Sequence, residues 1–389
     1  MARKLASIVV IDNVSPIDGA DRLEVAEMAG KGWKVVTAKG EVFPGDLCCY
    51  FEIDSFLPAD DERYAFLKDR CLRKFVSKGG NVLREGIRIK TIKLRGQISQ
   101  GLLMPIEKFP EITSRMPDNL HINLSESEDC IVPELVPSIG ADVTNLLHVE
   151  HYDEVKEQLQ PLTGSNPITS DALGRFPSDY VPKTDEERIQ NLGDWFEKYK
   201  DMEWEATAKD DGSSLTMFYS PTIDAETSFG VCTRNLRIKP ELAKGGIPLG
   251  YQMAAKYNVE EKLKAYFDET KLEIAVQGEL VGPGVNADRD KYQTHEWHVF
   301  KIFDITNQRF LLPLERRKLC EKLELTHVQV INPSIKVFTE LPSMDAVLKF
   351  AEGKTARGNE REGIVFKSNT IHDLSFKAVS NRYLMKQED

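Results

Sequence analysis

Residues 207–214 read Thr207-Ala208-Lys209-Asp210-Asp211-Gly212-Ser213-Ser214, which places a lysine two residues before an Asp-Gly pair. The residues before the lysine are typical of a strand, and Gly212 is typical of a turn. Two interpretations follow from the pattern alone. It indicates either a surface hairpin or a nucleophilic lysine at the end of a strand, and these eight residues do not distinguish them.

Five further motifs follow along the chain, each with chemically active side chains. They are Thr233-Arg234-Asn235, Gln277-Gly278-Glu279-Leu280-Val281-Gly282-Pro283-Gly284, Phe300-Lys301-Ile302-Phe303-Asp304-Ile305, Arg361-Glu362-Gly363-Ile364-Val365-Phe366-Lys367 and Ser375-Phe376-Lys377-Ala378-Val379-Ser380-Asn381. Each has a purely structural interpretation as well, for example Phe303 as a core aromatic residue. Six such coincidences in one order are much rarer than one.

The six motifs, in this order, resemble those of the covalent nucleotidyltransferases, which are the DNA ligases, RNA ligases and mRNA capping enzymes. Over roughly residues 180–389, the chain resembles the nick-sealing RNA ligases. Two positions depart from the pattern. Many relatives have a glutamate where this chain has Ala208, and some have a second lysine where it has Val379.

The first ~105 residues alternate short apolar runs with glycine-containing turns, which predicts a small antiparallel barrel. The predicted strands are 8–11, 23–28, 33–37, 47–53, 87–94 and 101–104. Residues 16–24 and 44–46 resemble OB-type tRNA-binding modules. Residues 93–102 and 182–191 resemble the branch of RNA ligases in which an OB domain precedes the nucleotidyltransferase domain.

The chain has 51 basic and 62 acidic residues and a net charge of −11, which disfavours a nucleic-acid partner at the level of the whole protein. Residues 68–95 are an exception, because they contain ten basic and two acidic residues. A local net charge of +8 indicates either a solvated surface or a site for a phosphate backbone. We predict RNA binding here, with Lys90, Lys93 and Arg95 as contacts.

The fold class predicted from these observations is α+β. We expect an OB-like β-barrel domain at residues 1–150, a linker at 151–182 and a nucleotidyltransferase domain of antiparallel sheets and flanking helices at 183–389. Within the last domain, the capping-box sequence Thr184-Asp185-Glu186-Glu187 predicts a helix that runs through Phe196. Further helices are predicted at 259–267, 314–325 and 344–351, and strands at 273–276, 297–305, 363–366 and 374–379.

The resemblance implies a role for each motif. Lys209 is the nucleophile, Glu279 contacts the ribose, and Glu362 is a carboxylate linked to the metal. The implied catalytic residues are Lys209, Glu279, Glu362, Lys367 and Lys377. The ATP-binding set adds Asp211, Gly212, Arg188, Arg234 and Phe303, with Phe303 stacked on adenine. The metal ligands are Asp211 and Glu362 for Mg²⁺ or Mn²⁺, and Arg234 and Asn235 also contact RNA. His295 and His298 are given no role.

The predicted function is that of an ATP-dependent RNA ligase, which forms a lysyl-AMP intermediate and joins RNA ends, with a nicked duplex as the expected RNA partner. DNA ligases and capping enzymes usually carry an OB domain after the last motif, whereas only twelve residues follow Lys377 here, so they are second choices. A non-catalytic nucleic-acid-binding protein is the third. Six cysteines without a CxxC pair and no apolar run long enough for a membrane span predict an intracellular, cytoplasmic protein. No oligomeric state is implied.

Overall fold

The computed structural model describes residues 4–116, 138–163, 171–286 and 288–386, which form two compact units divided after Pro167. The division lies inside the predicted linker 151–182, of which residues 164–170 are outside the described part. The helix Tyr152–Thr163 belongs to the first unit and the strand Ala172–Arg175 pairs within the second, so these residues are structural elements of the units.

The first unit contains eleven described strands in three antiparallel arrangements. Their order is β10-β4-β1-β2-β3 in one sheet, β11-β5-β7-β6 in another, and a hairpin of β8 and β9. The strands are β1 Ala6–Pro16, β2 Leu23–Met28, β3 Lys34–Ala38, β4 Leu47–Phe51, β5 Ser55–Pro58, β6 Leu72–Val76, β7 Val82–Arg88, β8 Thr91–Leu94, β9 Gln97–Gln100, β10 Leu102–Pro105 and β11 Glu150–His151.

Strand β1 is apolar without interruption over Ile8–Ile11 because it is buried on both faces. Ile8 packs in one core cluster with Phe51 and Phe109, whereas Val9 and Ile11 pack in a second cluster around Trp33. The curled antiparallel sheet confirms the predicted OB-like architecture.

The predicted basic stretch forms two hairpins, β6–β7 and β8–β9. The second turns through Arg95 and Gly96, whose φ angles of 50° and 88° are those of a tight two-residue hairpin loop. This geometry exposes the side chains of Lys93 and Arg95. Part of the basic stretch is already paired within the unit, for Arg88 bonds to Asp54 at 2.9 Å.

The second unit contains two sheets, with strand orders β12-β17-β16-β15-β18-β19-β20 and β13-β23-β22-β14-β21. The pair β13–β23 is parallel, whereas the other pairs are antiparallel. The strands are β12 Ala172–Arg175, β13 Glu187–Arg188, β14 Trp204–Lys209, β15 Ser213–Tyr219, β16 Phe229–Thr233, β17 Leu236–Ile238, β18 Ile274–Val281, β19 Glu296–Asp304, β20 Arg309–Phe310, β21 Val330–Ile335, β22 Gly363–Ser368 and β23 Ser375–Val379.

Alternation along β14 divides its side chains between an apolar core and a polar cleft. Trp204 and Ala206 pack in a cluster with Phe366 and Phe376 on one face. Glu205, Thr207 and Lys209 are the alternate residues, which therefore lie on the opposite face, toward the seven-stranded sheet. The face of this sheet that carries Glu279 also carries Lys301, and Lys301 Nζ donates to Ser375 Oγ of β23 at 3.4 Å.

Helices flank the two sheets of the second unit, and three of the predicted ones are confirmed. The described helices of the chain are Lys68–Cys71, Pro110–Thr113, Tyr152–Thr163, Trp195–Lys198, Leu249–Lys256, Val259–Thr270, Pro313–Lys322, Val337–Glu340, Met344–Ala351 and Asn381–Lys386. Among the described residues, no helix has the length and apolar character needed to cross a membrane.

The predicted helix after Thr184 is wrong. Glu187 and Arg188 instead form β13, which pairs in parallel with Phe376 and Lys377. The Glu187 carboxylate accepts from the Arg188 amide and from the Asn191 side chain, rather than closing a capping box on Thr184. The pairing with β23 therefore overrides the local capping signal.

Candidate active site

Lys209 is the last residue of β14, and the register of the sheet determines its neighbours. It lies opposite Gly363, the first residue of β22. Glu362 directly precedes this glycine, and its Oε2 lies 2.8 Å from Lys209 Nζ. The two side chains are 28% and 15% exposed, so the ion pair is largely buried but open on one side.

Gly212 allows the chain to cross from β14 to the facing sheet. A Cβ atom at this position would lie 2.2 Å from the carbonyl oxygen of Leu280 and 2.9 Å from Glu279 Cγ. Only a glycine permits this close approach. The turn after Lys209 thereby brings Asp211 and Glu279 into one site with the lysine.

Three carboxylates determine the protonation of Lys209. Burial opposes its charge, but the attraction of Glu362, Glu279 and Asp211 outweighs burial and raises the lysine pKa. Burial also raises the pKa of Glu279 to about 8, against the opposing effect of Lys209. The pKa of Glu362 is raised by burial too. The site therefore holds more negative charge than one lysine neutralises.

Lys377 and Arg188 lie on the adjacent strands β23 and β13, opposite each other in the parallel pair. Burial, together with repulsion from Arg188 and Lys209, lowers the pKa of Lys377 to about 8. Arg188 and Lys209 thus lie close enough to Lys377 to influence its pKa.

Lys367 is not part of this cluster. It lies four residues along β22 from Gly363, a distance of about 13 Å at ~3.3 Å per residue. Burial and repulsion from Arg316 lower its pKa to about 7, partly opposed by attraction to Glu186. Glu186 also attracts Lys301, 3.4 Å away. The predicted contact of Lys367 with phosphate stays a prediction, at a position remote from the nucleophile.

Phe303 lies in an apolar cluster of the second unit. It is 3% exposed and packs in a cluster with Phe218, Ala275 and Phe310. The Phe310 ring is edge-on to it at 5.0 Å. Phe303 thus packs as a core aromatic residue in this structure, and its stacking on adenine stays a prediction.

A cavity of about 200 Å³ opens beside Lys209. Its walls include Lys209, Asp211, Glu362, Asp210, His298 and Tyr383. The last three residues were not predicted from the sequence. His298 lies opposite Glu279 in the β18–β19 register, and this cross-strand position is the signal that identifies it once the sheet is known.

His298 is held between two carboxylates. Its Nδ1 lies 2.7 Å from Asp210 Oδ2, and its Nε2 lies 3.1 Å from Glu296 Oε2. Burial opposes protonation, but the hydrogen bond and charge of Asp210 outweigh it, so the pKa of His298 is raised. Arg357 Nη2 bonds to Glu296 at 3.1 Å, and its guanidinium lies over the Tyr292 ring.

The carboxylates fit a divalent cation that is shared with a phosphate ligand. The described residues contain no group of three or more acidic, histidine or cysteine side chains that could hold a metal by themselves. Magnesium in nucleotide sites commonly takes one or two carboxylates, with phosphate oxygens and waters as the other ligands. Asp211 and Glu362 are suited to this arrangement, because two carboxylates face the single ammonium group of Lys209.

The remaining predicted contacts are placed at the edges of the units. Arg234 Nη2 bonds to Asp185 at 3.0 Å, and Lys183 Nζ donates to Asn235 Oδ1 at 2.6 Å. Arg234 is half-exposed and can exchange this partner for a phosphate. Lys90, Lys93 and Arg95 lie around the β8–β9 hairpin of the first unit.

Comparison with known proteins agrees with this architecture. An OB-fold domain model matches residues 5–106, and the RNA ligase family model matches residues 202–380. A Naegleria gruberi RNA ligase variant with AMP and manganese is 31% identical, with 100% of each chain covered and a TM-score of 0.79. The chain belongs to the RNA ligase family.

Two further structures of the Naegleria gruberi RNA ligase are similar to this RNA ligase at 31% identity, 100% coverage of each chain and a TM-score of 0.78. One is a variant with ATP and manganese, and the other holds pyrophosphate. A search of curated protein sequences found no significant match.

Replacing Lys367 should stabilise this RNA ligase, and more so at low pH. The pKa of Lys367 falls from 10.5 to about 7 on folding, so between these pH values the unfolded chain binds a proton that the folded chain does not. The free energy of unfolding therefore decreases as the pH falls from 10.5 to about 7. The loss is up to ~1.4 kcal/mol for each pH unit in this window. Lys367→Met removes it, so the thermal midpoint should exceed that of the wild type by more at pH 6 than at pH 9.

The control for this measurement is Lys318→Met, because Lys318 is an exposed residue of the helix Pro313–Lys322. Its midpoint should differ from that of the wild type equally at both pH values. If the midpoint of Lys367→Met also differs from that of the wild type by the same amount at both pH values, the lowered pKa of Lys367 is contradicted.

Proposed function

We propose that this RNA ligase is ATP-dependent and seals RNA 3′-hydroxyl and 5′-phosphate ends at nicks in duplexes, the RNA ligase (ATP) reaction. The observation that carries the proposal is Lys209 Nζ at 2.8 Å from Glu362, beside the cavity and within reach of Asp211 and Glu279. The Naegleria gruberi ligase structures with ATP, AMP or manganese support the same choice of nucleotide and metal.

The first step forms a bond between Lys209 Nζ and the α-phosphorus of ATP, breaks the bond to pyrophosphate, and leaves AMP on the lysine. The amine is a nucleophile only after it loses a proton. The negative charges of Glu362, Glu279 and Asp211 favour the protonated form of Lys209 and so oppose this loss. Asp211 and Glu362 would hold a divalent cation, whose positive charge would weaken this attraction and neutralise the phosphates.

The second step transfers AMP to the RNA. An oxygen of the RNA 5′-phosphate attacks the phosphorus of AMP, and Lys209 leaves as the amine. In the third step the 3′-hydroxyl oxygen attacks the 5′-phosphorus and AMP leaves with the electrons of the broken bond. Lys377 and Arg188, adjacent on β23 and β13, are suited to bind the phosphate in these steps.

Base recognition differs from the pattern of the relatives in one respect. Ala208 carries no side-chain carboxylate, and its amide donates to the Gln329 carbonyl at 2.8 Å. His298 on the cavity wall is an aromatic group available to the base, whereas Phe303 is buried in an apolar cluster. We therefore assign the base contact to His298 rather than to Phe303. An intracellular, cytoplasmic location also belongs to this proposal.

The first test concerns Lys209. Lys209→Ala should abolish labelling of the protein by α-labelled ATP, because the bond to AMP has no other acceptor. Sealing of RNA that is already adenylylated at its 5′ end should be retained in part, because that step does not need the lysine. Gel electrophoresis of the labelled protein measures the first and a sealing assay the second.

Lys264→Ala is the matched control, since Lys264 is an exposed lysine of the helix Val259–Thr270. It should be labelled like the wild type. Full labelling of Lys209→Ala would refute the nucleophile. Labelling by GTP instead of ATP would indicate a capping-type enzyme, and no labelling of the wild type would indicate a non-catalytic RNA-binding protein.

The second test concerns RNA binding by the first unit. The double variant Lys93→Gln/Arg95→Gln removes two exposed charges of the β8–β9 hairpin. Its affinity for duplex RNA should fall, and the slope of log affinity against log salt should become smaller by about 0.7–0.9 for each lost phosphate contact. Labelling by ATP should be unchanged, because Lys209 lies in the other unit.

Arg22→Gln/Lys39→Gln is the control, as it removes two exposed charges from another part of the first unit. Filter binding over a range of salt concentrations compares the three proteins. An identical salt slope for the hairpin variant and the wild type would exclude this hairpin from the RNA interface.

The third test concerns the sugar of the strand that carries the 3′-hydroxyl. RNA there adopts A-form geometry, which proteins sense through the wide minor groove and 2′-hydroxyls without reading bases. One or two ribonucleotides at the 3′-hydroxyl side of a DNA nick should therefore restore most of the sealing rate. Deoxynucleotides on the 5′-phosphate side should be tolerated, because that side is bound through its phosphates.

Sealing rates on nicked substrates with the same base sequence measure this preference. If all-DNA nicks are sealed as fast as all-RNA nicks, and terminal ribonucleotides make no difference, the protein is a general nick ligase and the proposed substrate is wrong.

A further inference from the structure

Tyr383 contacts the site from the helix Asn381–Lys386, outside every motif that the sequence singles out. It is 2% exposed, and its hydroxyl donates to Asp211 Oδ2 at 2.6 Å. A buried tyrosine hydroxyl needs a hydrogen-bond partner, and a carboxylate is the strongest acceptor a protein offers. The hydroxyl therefore fixes the Asp211 side chain in one orientation.

Arg289 reinforces the same orientation. Its guanidinium carbon lies 4.5 Å from the centre of the Tyr383 ring, and its Nε lies 4.0 Å from Asp211 Oδ2. The Tyr383 hydroxyl and Arg289 Nε therefore both lie against the same carboxylate oxygen, Asp211 Oδ2. The other oxygen, Oδ1, has no hydrogen bond with the described residues, and Asp211 is one of the residues that line the cavity.

The helix that carries Tyr383 is also tied to the strand of Glu362. The Ser380 amide donates to the Glu362 carbonyl at 2.8 Å, and Ser380 Oγ accepts from the Tyr383 amide at 3.2 Å. Tyr383 thus joins Asp211 to the backbone of Glu362, although the two acidic residues are far apart in sequence.

We propose that Tyr383 is a positioning residue, which holds Asp211 Oδ2 so that Oδ1 faces the divalent cation of the nucleotide. The inference rests on the proposed function, since it assigns the cation to the step in which Lys209 is adenylylated. Without the hydroxyl, the carboxylate is free to rotate toward the Lys209 ammonium, and the cation loses a preoriented ligand.

The test is Tyr383→Phe, which keeps the buried ring and removes only the hydroxyl. Binding of Mn²⁺ in the presence of a non-hydrolysable ATP analogue is measured by the electron paramagnetic resonance signal of the free ion. The dissociation constant should rise about 10-fold, the equivalent of ~1.4 kcal/mol, which is within the range for a hydrogen bond to a charged group. Half-saturation of lysine adenylylation by Mg²⁺ should move by the same factor.

Two controls separate positioning from a structural effect. Tyr251→Phe changes a partly buried tyrosine of the same unit, whose ring contacts Phe229, and should leave both measurements unchanged. In the Asp211→Ala background, Tyr383→Phe should have no further effect on Mn²⁺ binding, because a residue that acts through Asp211 has nothing left to position. Thermal midpoints verify that each variant is folded.

Equal Mn²⁺ dissociation constants for the wild type and Tyr383→Phe would overturn the proposal, as would a full effect of Tyr383→Phe without Asp211. Absence of Mn²⁺ binding by the wild type would also overturn it. If the wild type binds Mn²⁺ but is not adenylylated by ATP, the proposed function fails, while the comparison of dissociation constants still decides the role of Tyr383.

Discussion

The pairing of β14 with β22 is the constraint on which the active site depends. It places Lys209 opposite Gly363 and beside Glu362, while Trp204 and Ala206 enter the core on the other face. A slip of one residue would put the lysine into that core, because side chains alternate between the two faces of a strand. No other residue fits at position 363, since a Cβ there would lie 2.3 Å from the Ala378 carbonyl oxygen. The apolar packing of one face therefore determines the position of the nucleophile on the other.

Charge is unevenly distributed along the cleft between the two sheets of the second unit. Around Lys209 the carboxylates predominate, and the pKa of Glu279 rises to about 8. Toward Glu186 the cations predominate, and the pKa of Lys367 falls to about 7 while Glu186 is held ionised by Lys301 and its neighbours. Burying these groups without full compensation costs stability. Binding of an anionic nucleotide together with a cation offsets part of this loss of stability. The cation supplies positive charge near the carboxylates, and the nucleotide supplies negative charge near the basic residues.

Much of the fold and part of the site could be predicted from the sequence, since both depend on local patterns. The strands around Ile8 and Trp297 follow from apolar runs, and the motif order brings Lys209, Glu279 and Glu362 together as expected. The errors arise where tertiary contacts override local signals. The capping box at Thr184 predicts a helix, but pairing with β23 makes that segment a strand. The irregular register of β18 and β19 puts His298 on the same face of the sheet as Lys301 and Phe303, which no sequence spacing reveals. Tyr383 reaches Asp211 from a distant helix and leaves no signature in its own neighbourhood.

The separation of the interacting residues along the chain has a consequence for the order of folding. Lys209 and Glu362 are 153 positions apart, and Asp211 and Tyr383 are 172 apart. Closing such long loops is entropically costly, so contacts of this kind form after local hairpins and helices. A partly folded chain therefore has the lysine in water, with an ordinary amine and none of the surrounding carboxylates. The charged environment of Lys209 is therefore complete only when β22 and the helix Asn381–Lys386 have docked.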